Sequence, residues 1–433
     1  MSWNQGAESA MTSTATADSR LKKLDVSKLL VEGRAFLALA VIIVVFTILS
    51  PNYLTVNNVL IMSSHVAIFA LLSLGMLMVV LTGGIDLSVG STLGFSAVVG
   101  GYLLKGVPIA MFGVTLYPSV PVAVLISVAV GGLIGLINGV LVARFNVAPF
   151  VATLGMLYVV RGAALLMTDG LTVNGIQGDP ALGNTGFEWL GFNRILGIPV
   201  GVIIMAVVAL GIALLLSRTT FGRWLYATGG NDRAAQLSGV PVRTVKVWVY
   251  VISGLCSAIA GLVLASTLTS ASPNAGNTYE LTAIAAVVIG GAVLSGGRGN
   301  VRGTLLGAFV IGFLSDGLVI VGMSEYWQTV FVGAVIVVAV LLNNLQYGGR
   351  GRRGAKKTAS KPETKTVPAA GDVDANGAGI DEADSAAGRE DPDPGTSRRT
   401  ADAGPGPSPD APSHRDGGTS GPPDASRDED TTS

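Results

Sequence analysis

About ten long apolar segments dominate this chain of 433 residues. A helix needs about 20 apolar residues to cross a bilayer, and only 13% of the residues here are charged, about half the share usual in soluble domains. Lipid offers the backbone no hydrogen bonds, so each segment must satisfy its own as a helix. The sequence therefore predicts an all-α polytopic membrane protein with about ten transmembrane helices. The segments lie near residues 35–50, 58–81, 86–104, 119–143, 148–168, 197–217, 245–269, 280–295, 303–320 and 326–342.

Both ends of the chain lack this apolar pattern. Residues 1–34 are rich in Ser, Thr and Ala and end in a basic stretch, and no cleavage site follows the first apolar run. This pattern predicts a first span rather than a signal peptide. Residues 346–433 are mainly Gly, Pro, Asp, Ser, Thr and Arg, with too few bulky apolar residues to fold. We expect disordered ends around one transmembrane domain, residues 35–345.

The positively charged residues are concentrated in alternate connections between the segments. If the N-terminus is cytoplasmic, the outer connections hold only Lys105 and Arg194. Cytoplasmic loops carry an excess of Lys and Arg, so we expect both termini on the cytoplasmic side of a cell membrane. Residues 169–196 then form the longest outer connection. The inner residues are Arg144, Arg218, Arg223, Arg233, Arg243, Lys246, Arg298 and Arg302.

The polar stretch at residues 218–246, called the coupling loop below, predicts a short helix between two spans. Asn231 is a good N-cap and Asp232 lies in the first turn. Gly239 suits the position after the helix, and Pro241 prevents its continuation. A helix of about two turns is unstable alone in water. We therefore expect it to dock onto a cytoplasmic partner, which indicates a transporter with a separate motor.

The motif LTGGIDLSVGS, residues 81–91, predicts a break at the end of the second segment. Gly83 and Gly84 interrupt the helix, and Asp86 caps a new one that begins near Leu87. Two compatible interpretations follow. The motif is a capped helix break, or it is a hinge or cavity-lining break in the translocation pathway formed by Gly83, Gly84, Asp86 and Ser88.

A second glycine-rich motif, GGAVLSGGRGNVRGTLLG at residues 290–307, predicts a tight cytoplasmic turn. It is not a phosphate loop, because no GxxxxGK[ST] occurs in the chain. We therefore expect ATP to bind a partner subunit rather than this chain. The turn residues Gly296, Gly297, Arg298 and Arg302 serve as topology anchors or as contacts with a cytoplasmic subunit.

Three ionisable residues stand out within the segments: Asp86, Arg161 and Asp316. Each costs roughly 2.5–3.5 kcal/mol at mid-bilayer, so each must face protein or water. Two interpretations of Arg161 stay open. Its side chain extends toward the outer interface, or it has a role in the pathway or at a subunit interface. His65 is expected to be a hydrogen-bonded packing residue. With two histidines and one cysteine in the chain, we expect no catalytic, cofactor or metal site.

Several separated motifs together resemble the permease subunits of bacterial ribose, xylose and arabinose-type ABC importers. The resemblance covers roughly residues 35–345, and the two terminal segments depart from it. The motifs that carry it are LTGGIDLSVGS (81–91), FGRWLYATGGNDRAAQLSGV (221–240), SGLCSAIAGLVLAS (253–266), YELTAIAAVVIGGAVLSGGRGNVRGTLLGA (279–308) and WQTVFVGAVIVVAV (327–340).

The resemblance implies a fold similar to type II ABC importers and three kinds of partner. Two permeases form the pathway, a cytoplasmic ATPase drives it, and an extracytoplasmic binding protein delivers a monosaccharide. It also implies a coupling helix at Asn231–Ser238 that docks onto the ATPase. We expect Ala234 and Ala235 to bear the contact, because small side chains permit close docking. The coupling residues are Arg223, Gly229, Asn231, Asp232, Arg233, Ala234, Ala235 and Gly239.

Several alternatives stay open on the sequence alone. The ABC class also includes permeases for branched-chain amino acids and for sugar-like signals or polyols. A secondary transporter or channel would need no ATPase, although the chain shows a docking helix and no relay of charged groups in its spans. A membrane-embedded enzyme would need clustered His, Cys or carboxylate residues, which the chain lacks.

Overall fold

The computed structural model describes residues 33–109, 113–324, 326–338 and 341. Apart from residues 33 and 34, the predicted terminal segments lie outside the described residues. Every element below belongs to the first of two units, Met1–Lys361. In chain order the helices are α1 (Arg34–Leu49), α2 (Val56–Leu81), α3 (Val89–Lys105), α4 (Val120–Arg144), α5 (Pro149–Thr168), α6 (Trp189–Phe192), α7 (Val200–Arg218), α8 (Thr220–Gly230), α9 (Asp232–Leu237), α10 (Val242–Leu268), α11 (Tyr279–Ile289), α12 (Val301–Ile320) and α13 (Tyr326–Val338).

Each of the predicted apolar segments coincides with a helix, which confirms an all-α polytopic fold. In the described part of the chain, six helices are long and apolar enough to cross a membrane: α2, α4, α5, α7, α10 and α12. The third and eighth predicted segments form short helices, 17 residues in α3 and 11 in α11. The helix α3 begins at Val89 instead of near Leu87, so that start was predicted wrongly.

The centre of the helical bundle is α2. Every residue from Ala70 to Leu81 is buried, as expected for a helix that is apolar on all sides. It packs against α10, α11 and α12, and also against α7. The most completely buried part of the core therefore lies at the C-terminal half of α2, next to the break at residues 82–88.

The helices α4 and α10 approach closely through glycine. Gly131, Gly135 and Gly139 lie four residues apart on one face of α4, a spacing typical of closely packed helices. A Cβ atom at Gly135 would overlap the carbonyl oxygen of Tyr250, and one at Gly131 would lie 2.6 Å from that of Gly254. The backbones of the two helices are thus in direct contact.

Bulky apolar side chains cover the outside of the bundle. Ile48 on α1, Leu166 on α5 and Leu210 on α7 are exposed, and many Val and Leu residues on the same helices share this exposure. An apolar outer surface of this extent suits lipid rather than water. The described helices therefore form a multi-pass membrane domain.

The connection over residues 169–196 joins several helix ends on one face of the bundle. Its strand β3 (Val173–Asn174) pairs antiparallel with β6 (Ser270–Ala271), while β1 (Val107–Ile109) pairs with β2 (Val114–Leu116) and β4 (Arg194–Ile195) with β5 (Ile198–Pro199). Asn184 donates to the carbonyl of Leu104 at the end of α3, 2.7 Å away. Ser266, near the end of α10, donates a hydrogen bond to the carbonyl of Phe187, also at 2.7 Å. This far face lies opposite the coupling loop, because α10 runs from one to the other.

Candidate functional site: the coupling loop and a glycine junction

The coupling loop contains two short helices. The predicted one is α9, and its caps are confirmed: the Asn231 side chain accepts from the N–H of Ala234 at 3.0 Å, and Gly239 has φ +84°. Asp232, in the first turn, forms an ion pair with Lys246 on α10. The helix is therefore held at both ends and tied to the next span.

The two alanines of α9 face opposite ways. Ala234 is exposed, together with Arg233, whereas only 5% of Ala235 is exposed. Ala235 packs into its own chain and is not available for docking, so the expected contact of both alanines applies to Ala234 alone. Leu237, which is 84% exposed, presents the largest apolar side chain of this helix.

The second helix, α8, was not predicted. Thr219 caps it by accepting from the N–H of Gly222 at 3.3 Å. Leu225 and Thr228 are buried, while Arg223 is exposed on the other side. Thr219 as an N-cap, followed by Phe221, Leu225 and Thr228 at helical spacing, was the signal that could have revealed it.

The last turn of α8 meets two other glycine-rich motifs. A Cβ at Gly229 would overlap the carbonyl oxygen of Leu81, and it would lie 2.5 Å from the nitrogen of Gly297. The same carbonyl of Leu81 accepts a hydrogen bond of 2.9 Å from the N–H of Gly297. A Cβ at Gly296 would lie 2.8 Å from the oxygen of Gly229 and 2.9 Å from the nitrogen of Gly83.

These four glycines, Gly83, Gly229, Gly296 and Gly297, form what we call the glycine junction. It joins the coupling loop, the end of α2 and the turn before α12 by contacts between backbones. Gly83, Gly296 and Gly297 also have positive φ angles, which residues other than glycine rarely adopt. Tyr226 adds one side-chain bond, from its hydroxyl to the carbonyl of Gly299 at 2.9 Å. Arg298 and Arg302 are exposed beside the junction.

Beyond the junction, Asp86 is the centre of a buried polar cluster. One carboxylate oxygen accepts from the N–H and the hydroxyl of Ser88, at 3.0 and 2.7 Å. The other accepts from the Ser253 hydroxyl on α10 at 2.8 Å, and Asn138 on α4 donates to the Ser88 hydroxyl at 2.8 Å. Only 1% of Asp86 is exposed, so it faces protein. We call these four residues the Asp86 cluster.

The structure corrects the role that the sequence assigned to Asp86. Ser88 is the N-cap residue of α3, and its own side chain makes no capping bond to the helix. The carboxylate of Asp86 bonds the N–H of Ser88 within the break, and it also ties the break to α10 through Ser253. Gly84 is close-packed here, since a Cβ on it would lie 2.8 Å from the Tyr250 hydroxyl. All four predicted pathway residues thus lie in one break, held between α4 and α10.

The two other ionisable residues that the sequence singled out, Arg161 and Asp316, also have hydrogen-bond partners. Arg161 donates two hydrogen bonds from Nη1, to the carbonyls of Pro273 and of Ala275, the latter at 2.8 Å. It therefore turns into the protein rather than toward the outer interface. His65 bonds Asp316 through Nδ1 at 2.9 Å, which confirms it as a hydrogen-bonded residue.

Several known proteins similar to this chain are described as permeases. The model of the family "Branched-chain amino acid transport system / permease component" matches residues 58–340. The ribose import permease protein RbsC of Escherichia coli K12 is 41% identical over 316 residues, which are 73% of this chain and 94% of the relative. RbsC of Bacillus subtilis is 43% identical over 309 residues, 71% and 91% of the two chains.

A third relative has a different sugar in its name. The galactose/methyl galactoside import permease protein MglC of Escherichia coli K12 is 35% identical over 335 residues, 76% of this chain and 98% of the relative. No solved structure matches this chain. The similarity spans nearly the whole length of these relatives, 91–98%, and the coupling loop and the glycine junction lie within residues 58–340, which the family model matches.

Proposed function

The chain belongs to the family of ABC transporter permeases, and we propose that it is the membrane-spanning subunit of an importer for a monosaccharide of the ribose type. Identity of 41% to a ribose import permease over 94% of that protein's length supports this function. The protein is a transport subunit and not an enzyme. Its partners are an ATPase and a sugar-binding protein, and it lies in the cell membrane.

The glycine junction is the observation that carries the mechanism. A docked helix transmits force only if it is rigidly connected to the part that moves. Here α9 is tied to α10 by the ion pair of Asp232 and Lys246, and α8 is tied to the end of α2 by backbone contact at Gly229. Packed elements of this kind move between discrete arrangements rather than deforming gradually. Movement of the coupling loop would therefore reach the break at residues 82–88 directly.

Three finer features complete the proposal. Two copies of the chain form the pathway, each with its own coupling loop. ATP binds to the ATPase subunits and not to this chain. Both termini and the coupling loop lie on the cytoplasmic side. The reason is that cytoplasmic loops carry an excess of Lys and Arg, and Arg223, Arg233, Arg298 and Arg302 all lie on the side of the junction.

Reconstitution tests the function directly. The full chain, its ATPase and its binding protein are placed in proteoliposomes, and uptake of radiolabelled ribose, galactose and leucine is measured with and without ATP. We expect ATP-dependent uptake of ribose. Uptake of leucine alone would assign the chain to the amino-acid branch, and equal uptake without the ATPase would identify a secondary transporter.

A further inference from the structure

A cavity of about 400 Å³ lies in the bundle beside the break at residues 82–88. Small-molecule sites fall roughly in the range 300–1,000 Å³. The cavity is bounded by Leu87, by one face of α5 and by the start of α11, and it combines two charged residues, two amides and one aromatic ring with leucines. The lining residues are Leu87, Leu154, Leu157, Tyr158, Arg161, Asn274, Asn277, Glu280 and Leu281.

The cavity lies at the depth of the membrane spans. Arg161 is about 18 Å along α5 from Pro149, at 1.5 Å per residue. The stretch between β6 and α11, residues 272–278, is not helical. Its Ala275 and Gly276 carbonyls lie against Gly94 and Gly90 of α3, and Ala275 also accepts a hydrogen bond from Arg161. Irregular backbone at membrane depth is tolerated only where it is buried in protein or lines a water-filled cavity. Asn274 and Asn277 in this stretch are exposed, which favours the second case.

Glycines on α3 make room for the charged groups. A Cβ at Gly94 would lie 2.7 Å from the Ala275 carbonyl oxygen and 3.0 Å from Nη1 of Arg161. One turn earlier, a Cβ at Gly90 would overlap the Gly276 carbonyl and lie 2.7 Å from Oε2 of Glu280. The face of α3 is therefore shaped around both the guanidinium and the carboxylate. This is a built site rather than an accident of packing.

The guanidinium and the carboxylate are fixed but not paired with each other. Arg161 uses Nη1 for two backbone carbonyls, and within the described residues its other three N–H donors have no partner. Glu280 lies in the first turn of α11, at the positive end of that helix. Among the described side chains, no ion pair within 4.0 Å joins it to Arg161. Charges left open at this depth are costly unless they serve a ligand or water.

We propose that Arg161, Glu280, Asn274 and Asn277 form a transient binding site for the monosaccharide during its passage, with Tyr158 against the sugar ring. The donors of Arg161 and the acceptor oxygens of Glu280 match the hydroxyl groups of a neutral sugar, which both donate and accept. Tyr158, 70% exposed, supplies an apolar face beside the leucines. The inference rests on the proposed function and assigns residues to its pathway.

Uptake of two sugars by variants of the full reconstituted complex tests this site. Glu280→Gln keeps the size of the side chain, and Asn277→Ser changes an exposed residue, so neither should prevent folding. We expect ribose uptake to fall about ten-fold or more in Glu280→Gln, as for a lost hydrogen bond to a charged group, and by a smaller factor in Asn277→Ser, whose amide is neutral. The ratio of ribose to galactose uptake should also change, which a purely structural defect would not produce. Asp316→Asn, outside the cavity, is the control and should leave both uptake and ratio unchanged.

Cysteine labelling tests whether the cavity is filled with water. Cys256 is the single cysteine of the chain and is buried, so Cys256→Ser gives a background for single replacements. In nanodiscs, Asn277→Cys should react with a charged thiosulfonate, whereas Leu210→Cys on the lipid-facing side of α7 should not.

The possible results separate the two proposals. If the wild type takes up neither sugar, the proposed function is wrong. If it takes up ribose and both cavity variants keep its rate and its sugar ratio, the site is wrong and the function stands. An unreactive Asn277→Cys would likewise overturn the site.

Discussion

The glycine junction and the cavity lined by Arg161 and Glu280 lie at different depths of the same bundle and are built in opposite ways. At the junction, Gly83, Gly229, Gly296 and Gly297 bring three segments together through their backbones. In the cavity, side chains of several chemical types surround an open space. Contact between backbones is stiff, because little can rearrange without moving a whole helix. Side chains around a cavity leave room for a ligand to enter and leave.

This difference suggests that the junction and the cavity have separate functions in the permease. The junction tolerates no added atoms, so its variants should fail through sterics whatever their chemistry. The cavity tolerates changes in size but should be sensitive to charge and hydrogen bonding. The Asp86 cluster lies between the two regions and resembles neither, because its carboxylate and both of its hydroxyls are hydrogen-bonded within the protein. Substitutions in each region should therefore fail in recognisably different ways.

The largest effect is expected at Gly229. Gly229→Val places side-chain atoms where the Leu81 carbonyl and the Gly297 nitrogen lie. Overpacking typically costs about 1–3 kcal/mol, and relief requires α8 to move away from α2. We expect uptake to be lost and the melting temperature in detergent to fall. Both are measured on the purified complex.

The neighbouring glycine is a matched control for this variant. Gly230 lies one position along the same helix, and a Cβ on it would meet nothing within 4 Å. Gly230→Val should keep uptake and stability near the wild-type values. If Gly229→Val were as active as Gly230→Val, the backbone contact at the junction would not transmit force.

The next largest effect is expected at Asp86, and it should appear in stability. Asp86→Ala removes three accepted hydrogen bonds and leaves the buried hydroxyls of Ser88 and Ser253 without their acceptor. Hydrogen bonds to charged groups contribute about 1.5–3 kcal/mol each, and we expect a loss of about 3 kcal/mol in unfolding free energy. Thermal and denaturant unfolding in detergent measure it.

Ser88→Ala removes less from the same cluster and calibrates this result. It deletes one hydroxyl that donates to Asp86 and accepts from Asn138. The expected loss is about 1.5–2 kcal/mol, because one bond to the carboxylate is removed while those from the Ser88 N–H and from Ser253 remain. Equal losses for the two variants would show that the carboxylate is not the centre of the cluster.

A smaller effect, confined to coupling, is expected at Ala234. Its side chain is exposed on α9, so Ala234→Arg should leave the permease folded while it clashes with the docked ATPase. We expect ribose uptake to fall about ten-fold, equivalent to roughly 1.4 kcal/mol, with an unchanged melting temperature. Uptake and ATP hydrolysis are measured on the same proteoliposomes.

Ala235→Arg distinguishes docking from folding. Because Ala235 is buried in its own chain, this variant should lower the melting temperature as well as uptake. Normal uptake by Ala234→Arg would rule out α9 as the docking helix. A lowered melting temperature for Ala234→Arg would instead place that side chain in the core.

Local signals in the sequence account for most of the fold. The apolar segments located the helices, Asn231 and Gly239 marked the ends of α9, and the spacing of Gly131 and Gly135 marked the contact of α4 with α10. Each of these depends on residues a few positions apart. The role of Asp86 was only partly visible in this way, because its carboxylate also bonds Ser253, 167 residues away.

The candidate sites depend on contacts that no local pattern contains. The sequence singled out the glycines at 83, 229 and 296–297 as separate motifs, and only the structure brings them to one point. In the same way, Arg161 was noted alone, while Glu280 was not noted at all. Glu280 lies in the first turn of an apolar helix, where an acidic residue is ordinarily explained by the helix dipole. Its position opposite Arg161 is visible only in three dimensions.

The smallest effect is expected at Tyr226, and it tests whether the junction depends on backbone alone. Its hydroxyl donates to the Gly299 carbonyl at 2.9 Å, a hydrogen bond made by a side chain rather than by the backbone. Burial raises the pKa of this hydroxyl, so it stays protonated and remains a donor at neutral pH. Tyr226→Phe removes the bond and keeps the ring. The expected loss is about 1 kcal/mol or less, with uptake close to that of the wild type.

A result of this size would separate the two sources of rigidity at the junction. If backbone contact at Gly229 carries the coupling, Tyr226→Phe lowers the melting temperature slightly and leaves the ratio of sugar transported to ATP hydrolysed unchanged. If that ratio falls as far as it does in Ala234→Arg, the hydroxyl of Tyr226 is itself part of the connection. The junction would then rely on a side chain, as the cavity does, and the contrast between the two regions would not hold.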